Sequence, residues 1–186
     1  YDTSGITLAS TSRVWNIWVD PKDSKVLYTE TKVDEENTIK TVDTAVCEEL
    51  SRELTLRILS GDGESLDAVD TTSEAYQTQY DKIYKALTQN DSQYQVLATK
   101  MNNAIKESVE KYEAFNKLHR NPEDGLYKGT VSIGYEKTFQ RKYPYGAFAA
   151  AVLGFTDADG IGTYGLEKSY QSTLAGVDGR SITKST

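Results

Sequence analysis

Cysteine, histidine and methionine occur once each in this 186-residue chain, and proline three times. A single Cys47 can close no internal disulfide and build no thiolate metal cage; it reads as a small apolar side chain on a helix rather than a reactive thiol. A single His119 removes multi-histidine metal sites and most histidine-dependent chemistry. Basic side chains are outnumbered 21 to 28, a net charge of −7. A polyphosphate would meet repulsion on average, which argues against nucleic-acid binding, since that rests on phosphate neutralisation. No run reaches the roughly 18 apolar residues that cross a bilayer. The opening "YDTSGITLAS" has no basic segment leading into an apolar core, so it is not a signal peptide. It starts as if in mid-strand, which is the expectation for a piece cut from a longer protein.

What remains suits one folded domain with a modest core: 38% hydrophobic and 26% charged residues. The acid is concentrated in the first two thirds, with 13 basic against 21 acidic residues from Tyr1 to His119 and near balance beyond.

The first part reads as extended. "GITLAS" is β-compatible, and "RVWNIWVDP" alternates until Pro21 stops it. "KVLYTET" is a third strand candidate, and "KVDEENTIKTVD" a loop or the approach to a helix. Three helical patterns follow. The first starts near Asp43 or Thr44, carries Val46, Leu50, Leu54 and Ile58 on one face, and ends at "SGDG". The second opens on Thr71 and Glu74 in capping-box spacing and is lined by Tyr76, Tyr80, Ile83 and Leu87. The third is predicted from about Ser92 to about His119 with a stripe from Tyr94 through Leu97, Met101, Ile105, Val109 and Tyr112 to Phe115; it would be about 42 Å long. These stripes read as packing surface rather than cofactor boxes.

"GTVSIGYEKTFQRKYP" then returns to a strand that Pro144 must end. "GAFAAAVLGF" favours a helix capped by Gly154, "DADGIG" a turn, and "YGLEKSYQSTLAG" a short helix closed by Gly176. The expected layout is α+β: one domain over residues 1–186, elongated, in which strand segments 1–42 and 126–186 pair in a small sheet around a helical head at about 43–125.

Motifs that would carry chemistry fail on inspection. Ser-x-x-Lys occurs at Ser108/Lys111 and Ser181/Lys184, where chance alone gives about one such pair. A serine acyl-transfer site also needs a base, oxyanion donors and substrate walls. Asp157 and Asp159 echo a calcium loop, but the twelfth position is Lys168 where a bidentate glutamate is required. "GDGES" lacks the Lys-Ser/Thr of a phosphate loop, and the sequon at Asn90–Ser92 is explained by helix capping. Neither metal nor cofactor is expected.

The C-terminal string resembles a family. Arg141, Tyr143, Pro144, Gly146, Ala150, Leu153 and Gly154, then Gly165, Leu166, Glu167, Tyr170, Leu174 and Gly176, fall on the end of the pedestal (dimerisation) domain of class B penicillin-binding proteins. At the other end Asp2, Gly5, Leu8, Ala9 and Ser10 match its Asp-Arg-x-Gly-x-x-Leu-Ala-x-Ser segment, with Thr3 in place of the arginine. The resemblance implies a non-catalytic domain at the extracytoplasmic face of a bacterial membrane. It would follow an N-terminal membrane anchor and precede a transpeptidase that binds penicillin and cross-links peptidoglycan through Ser-x-x-Lys, Ser-x-Asn and Lys-Thr-Gly. It also implies partners in cell-wall synthesis and cell shape, among them a polytopic glycosyltransferase and scaffold proteins, or a second copy of the chain. Arg141 is expected to hold the turn together and Glu167 to pin a helix, each through charge-assisted hydrogen bonds, and Trp15 and Trp18 to offer a partner surface. The alternative is a self-contained secreted module or hydrolase with an acidic cleft for carbohydrate or peptide.

Overall fold

Strand β1 (Ser10–Asp20) organises the larger of two compact units into which the chain divides, Arg13–Thr138; the smaller comprises Tyr1–Ser12 and Phe139–Thr186. The computed structural model describes residues 3–34, 37–112, 131–147, 150–157 and 159–177. β1 is the centre of a three-stranded sheet, between β4 (Gln95–Met101) and β5 (Ser132–Lys142). The expected pairing of first and last extended segments is therefore present, in an α+β fold. Val14, Ile17 and Val19 turn inward from β1.

A second sheet pairs β2 (Tyr28–Lys32) with β3 (Thr38–Val42) antiparallel, Tyr28 opposite Val42 and Lys32 opposite Thr38. Two expectations are corrected here. Lys25–Leu27 is a 3-10 turn rather than the start of a strand, and β3 lies in the polar stretch read as a loop or the approach to a helix. At the start of the chain only Ser10 of "GITLAS" enters a strand.

Helix α1 (Thr44–Leu59) begins where Asp43 accepts the Val46 N–H at 3.2 Å. Its Val46, Cys47, Leu50, Leu54 and Ile58 are buried, each fully buried leucine contributing roughly 1.5–3 kcal/mol. Helix α2 (Glu74–Thr88) packs along α1; its cap is Ser73, which accepts from Tyr76 N–H, and not Thr71. Thr71 is passed over because Asp70 ties down Thr72 through its amide and hydroxyl, so the helix starts two residues later.

The long third helix is replaced by β4 followed by α3 (Asn103–Glu110), and the end of its span, from Glu113 through Phe115 to His119, lies outside the described residues. β4 runs antiparallel to β1, with Trp15 opposite Met101, Ile17 opposite Ala98 and Trp18 opposite Val96. Both intervals place one more residue on β4 than on β1, which is the signature of bulges. Lys100 sits in the left-handed region at φ 58°, its N–H held by Asn16 Oδ1 at 3.1 Å. Asn102 then caps α3 through Ile105 N–H. Leu97, Ile105, Val109 and Tyr112 are buried as their spacing suggested, although a strand, a bulge and a short helix carry them.

In the smaller unit Tyr143–Gly146 forms a turn closed by the Gly146 N–H on the Tyr143 carbonyl, with Pro144 at its second position. Helix α4 (Ala150–Leu153) ends at Gly154, whose N–H returns to the Ala150 carbonyl. The segment read as one closing helix is two, α5 (Gly165–Ser169) and α6 (Gln171–Leu174), broken at Tyr170; Gly176 follows at φ 71°.

Candidate functional site

The C-terminal residues singled out by sequence converge inside the smaller unit. β5 delivers Arg141 and α5 delivers Glu167. Arg141 Nε and Nη2 both lie 2.9 Å from Glu167 Oε1, and Nη1 donates to Thr11 Oγ1 at 3.0 Å. The Glu167 side chain is 6% exposed and that of Arg141 20%. One guanidinium thus joins the chain's first segment, its last strand and a late helix by charge-assisted bonds. An apolar groove of about 260 Å³ opens beside the pair, bordered by Leu8, Ala9, Leu153, Leu166, Tyr170 and Leu174.

The glycines earn their places by close approach. Gly154 and Gly165 both take positive φ, and a Cβ on Gly165 would stand 2.6 Å from Gly154 N and from Val152 O. Gly5 and Gly146 also take positive φ, but among the described residues a Cβ there would meet nothing within 4 Å. Tyr143 Oη is buried with no hydrogen-bond partner among the described residues. Asp2 lies outside the described residues.

Within the larger unit, Trp15 and Trp18 are half-buried and engaged by their own chain. The Lys106 ammonium lies 5.1 Å from the Trp15 ring and 5.4 Å from that of Tyr135, and also meets Glu110 at 2.5 Å. Burial, then Glu110, pushes the Tyr135 hydroxyl above the usual tyrosine range. Trp18 packs at 5.0 Å from Tyr94 and lies over Gly134, where a Cβ would stand 2.1 Å from its ring carbons. Sequence reasoning missed Gly134. The signal was a lone glycine inside a strand pattern, which marks a close approach.

The decoys resolve into structure. Ser108 donates its hydroxyl to the Gly63 carbonyl, and Lys111 pairs with Glu107, so the Ser108/Lys111 match does local bonding. Ser181 and Lys184 lie outside the described residues. Asp157 spends its carboxylate on the N–H groups of Asp159 and Ile161. Cys47 is buried, and burial, then Asp43 and Glu48, push its thiol up to about 12. Among the described residues no helix is long and apolar enough to cross a membrane, and no group of three or more carboxylate, cysteine or histidine side chains could hold a metal.

Comparison with known proteins agrees with this fold. The family model described as "Penicillin-binding Protein dimerisation domain" matches residues 1–186. The chain is 44% identical over 54 residues to the probable peptidoglycan D,D-transpeptidase PenA of Neisseria gonorrhoeae, a match covering 29% of this chain and 9% of that protein. It is 35% identical over 94 residues to penicillin-binding protein PbpB of Mycobacterium tuberculosis, covering 46% and 14%. Among solved structures, penicillin-binding protein 2X of Streptococcus thermophilus shares the fold with a TM-score of 0.50 at 18% identity, over 94% of this chain and 22% of that one. The matches span only a small part of these relatives, and the family model that covers this chain end to end is that of the non-catalytic domain. The chain belongs to the penicillin-binding-protein dimerisation domain family.

Proposed function

We propose that this domain positions a peptidoglycan transpeptidase at the outer face of a bacterial cytoplasmic membrane and offers contact surface to other cell-wall synthesis proteins. The observation that carries this reading is the end-to-end family match, joined to the small share of each relative that the chain spans. The Arg141–Glu167 latch and the Gly154–Gly165 contact suit a rigid support, because neither leaves a nucleophile or base free for turnover. The smaller unit exposes Val152 at 61% and Phe155 at 57%, apolar surface of the kind that a neighbouring domain covers.

Sequencing the source gene on both sides of this segment tests the proposal. An upstream apolar helix, with Ser-x-x-Lys, Ser-x-Asn and Lys-Thr-Gly downstream in that order, is the expected result. The longer product should then be labelled by fluorescent penicillin while the present chain is not. A signal peptide directly before Tyr1 and a stop codon after Thr186 would sink it.

A further inference from the structure

Where α1 and α2 pack together, an open groove of about 340 Å³ remains between them. Glu48, Glu49 and Arg52 border it from α1, and Tyr76 and Tyr80 from α2. Tyr84 continues the tyrosine row. Successive rings are near parallel, at 21° and 9°, with centroids 6.2 and 6.3 Å apart. A flat guest needs about 3.5 Å to each face it covers, so none slots between these rings. The row is a wall along the groove and not a set of stacking slots.

The charge along this wall is unbalanced in a way found on neither α1's other turns nor α3. Glu53 is taken by Arg57 at 2.8 Å, Glu110 by Lys106, and Glu107 by Lys111. Among the described residues the Glu48 and Glu49 side chains have no ion-pair or hydrogen-bond partner. Arg52 reaches only Glu53, at 4.0 Å. Asp81 adds a third carboxylate near Tyr80, bonded among the described residues only to the neutral Gln77. Glu49 is half-buried and borders the groove, so a cation arriving there would meet two carboxylates that no basic side chain among the described residues already holds. Burial, then Glu48, holds the Tyr80 hydroxyl above its ordinary range, so it stays protonated and able to donate as well as accept.

We propose that the α1–α2 groove docks a basic segment of a partner protein, whose lysine or arginine side chains pair with Glu48 and Glu49 against the Tyr76–Tyr80 wall. This deepens the partner-contact part of the proposed function and names its surface and chemistry. The test uses the present chain alone, so its outcome is separate from the gene-flank and penicillin results.

The probe is a fluorescein-labelled peptide of alternating lysine and alanine, followed by anisotropy at low and physiological salt. The combined variant Glu48→Gln/Glu49→Gln should weaken binding roughly tenfold, the scale of two partly exposed ion pairs. Tyr80→Ala should weaken it severalfold, and Arg52→Ala should tighten it. The control Glu64→Gln/Asp67→Asn removes the same charge from exposed positions outside the groove, and should change little. Equal losses in both double variants would reduce the effect to general attraction by an acidic chain and overturn the proposal, as would unchanged binding in Glu48→Gln/Glu49→Gln. Displacement of the peptide by neutral chitotriose would overturn the choice of a protein partner. Circular dichroism of each variant confirms that helix content is kept.

Discussion

Gly154 and Gly165 meet backbone to backbone: a Cβ on Gly154 would stand 1.8 Å from the Tyr164 carbonyl oxygen, and one on Gly165 2.6 Å from Gly154 N. Both residues also sit at positive φ, 75° and 61°. Either alanine substitution therefore meets two obstacles, left-handed backbone and fixed main-chain atoms. Gly165→Ala is expected to destabilise the smaller unit by about 2–4 kcal/mol. Gly146→Ala, at φ 55° with nothing within 4 Å among the described residues, should cost only about 1 kcal/mol. Hydrogen exchange at the amides of α5 reads the difference. Equal protection in the two variants would show that the contact is slack.

The Arg141–Glu167 pair predicts an asymmetric mutational cost. Arg141→Ala leaves Glu167, 6% exposed, as an uncompensated charge, a loss of about 3–5 kcal/mol. Glu167→Gln retains an acceptor for the guanidinium and should cost less. Arg141→Lys keeps the charge but cannot reach Glu167 and Thr11 together. Urea denaturation of Arg141→Ala, Glu167→Ala and the double variant gives the coupling. A value under about 0.5 kcal/mol would mean the pair behaves as an ordinary surface bridge.

What could be read from sequence depended on whether local chemistry or distant pairing decides the backbone. Asp43 before Val46 and Leu50 announces α1 because a cap acts over three residues. Gly154 and Gly165 could be picked out from a motif string, although only the fold shows them touching. β4 could not be read. Tyr94, Leu97, Met101, Ile105 and Val109 keep helical spacing, yet pairing with β1 wins over Gln95–Met101, and two extra residues absorbed in bulges disguise the strand period. β3 was hidden for a related reason. Its Thr38, Ile39 and Thr41 are exposed, so no buried face marks it as a strand. Of the candidate site, Arg141 and Glu167 could each be picked out as structural residues, but their pairing and the α1–α2 groove could not, since both exist only once separate elements pack.

Gly134 is required by Trp18. Gly134→Ala would place a methyl group 2.1 Å from the indole carbons, forcing the ring off its seat and away from Tyr94. The expected cost is about 1–3 kcal/mol, typical of overpacking. Tryptophan emission should move to longer wavelength as Trp18 gains water. Unaltered emission in a folded Gly134→Ala protein would show that the ring has room to shift.

The Cys47 thiol links folding to alkaline pH. Its ordinary value is 9.0, and the fold raises it to about 12. The unfolded chain therefore loses this proton first as pH rises. Stability is unaffected below about 9 and falls between 9 and 12, by up to about 1.4 kcal/mol per pH unit. Burial acts in the same direction on Tyr112 and Tyr135. Cys47→Ala should make the alkaline decline shallower, and the native thiol should resist disulfide-exchange reagents that modify it in urea. Rapid native labelling at neutral pH would contradict the burial.

Lys100 offers a stabilising change. It is exposed, and among the described residues it is the one non-glycine at positive φ and its side chain has no hydrogen-bond or ion-pair partner. The left-handed conformation costs an L-residue roughly 1–2 kcal/mol, relieved by glycine and in part by asparagine. The flexibility that glycine adds to the unfolded chain takes back about half of this. Lys100→Gly should thus gain about 0.5–1 kcal/mol, and Lys100→Asn a few tenths. Lys100→Val should lose more than either gains, because a β-branched side chain fits this region worst. The Asn16 bond uses the Lys100 backbone N–H, which all three variants keep, so the ranking isolates the φ angle. Thermal denaturation in the order Gly, Asn, Lys, Val is the expected result; valine at or above lysine would mean that the β4 bulge relaxes to negative φ at no cost.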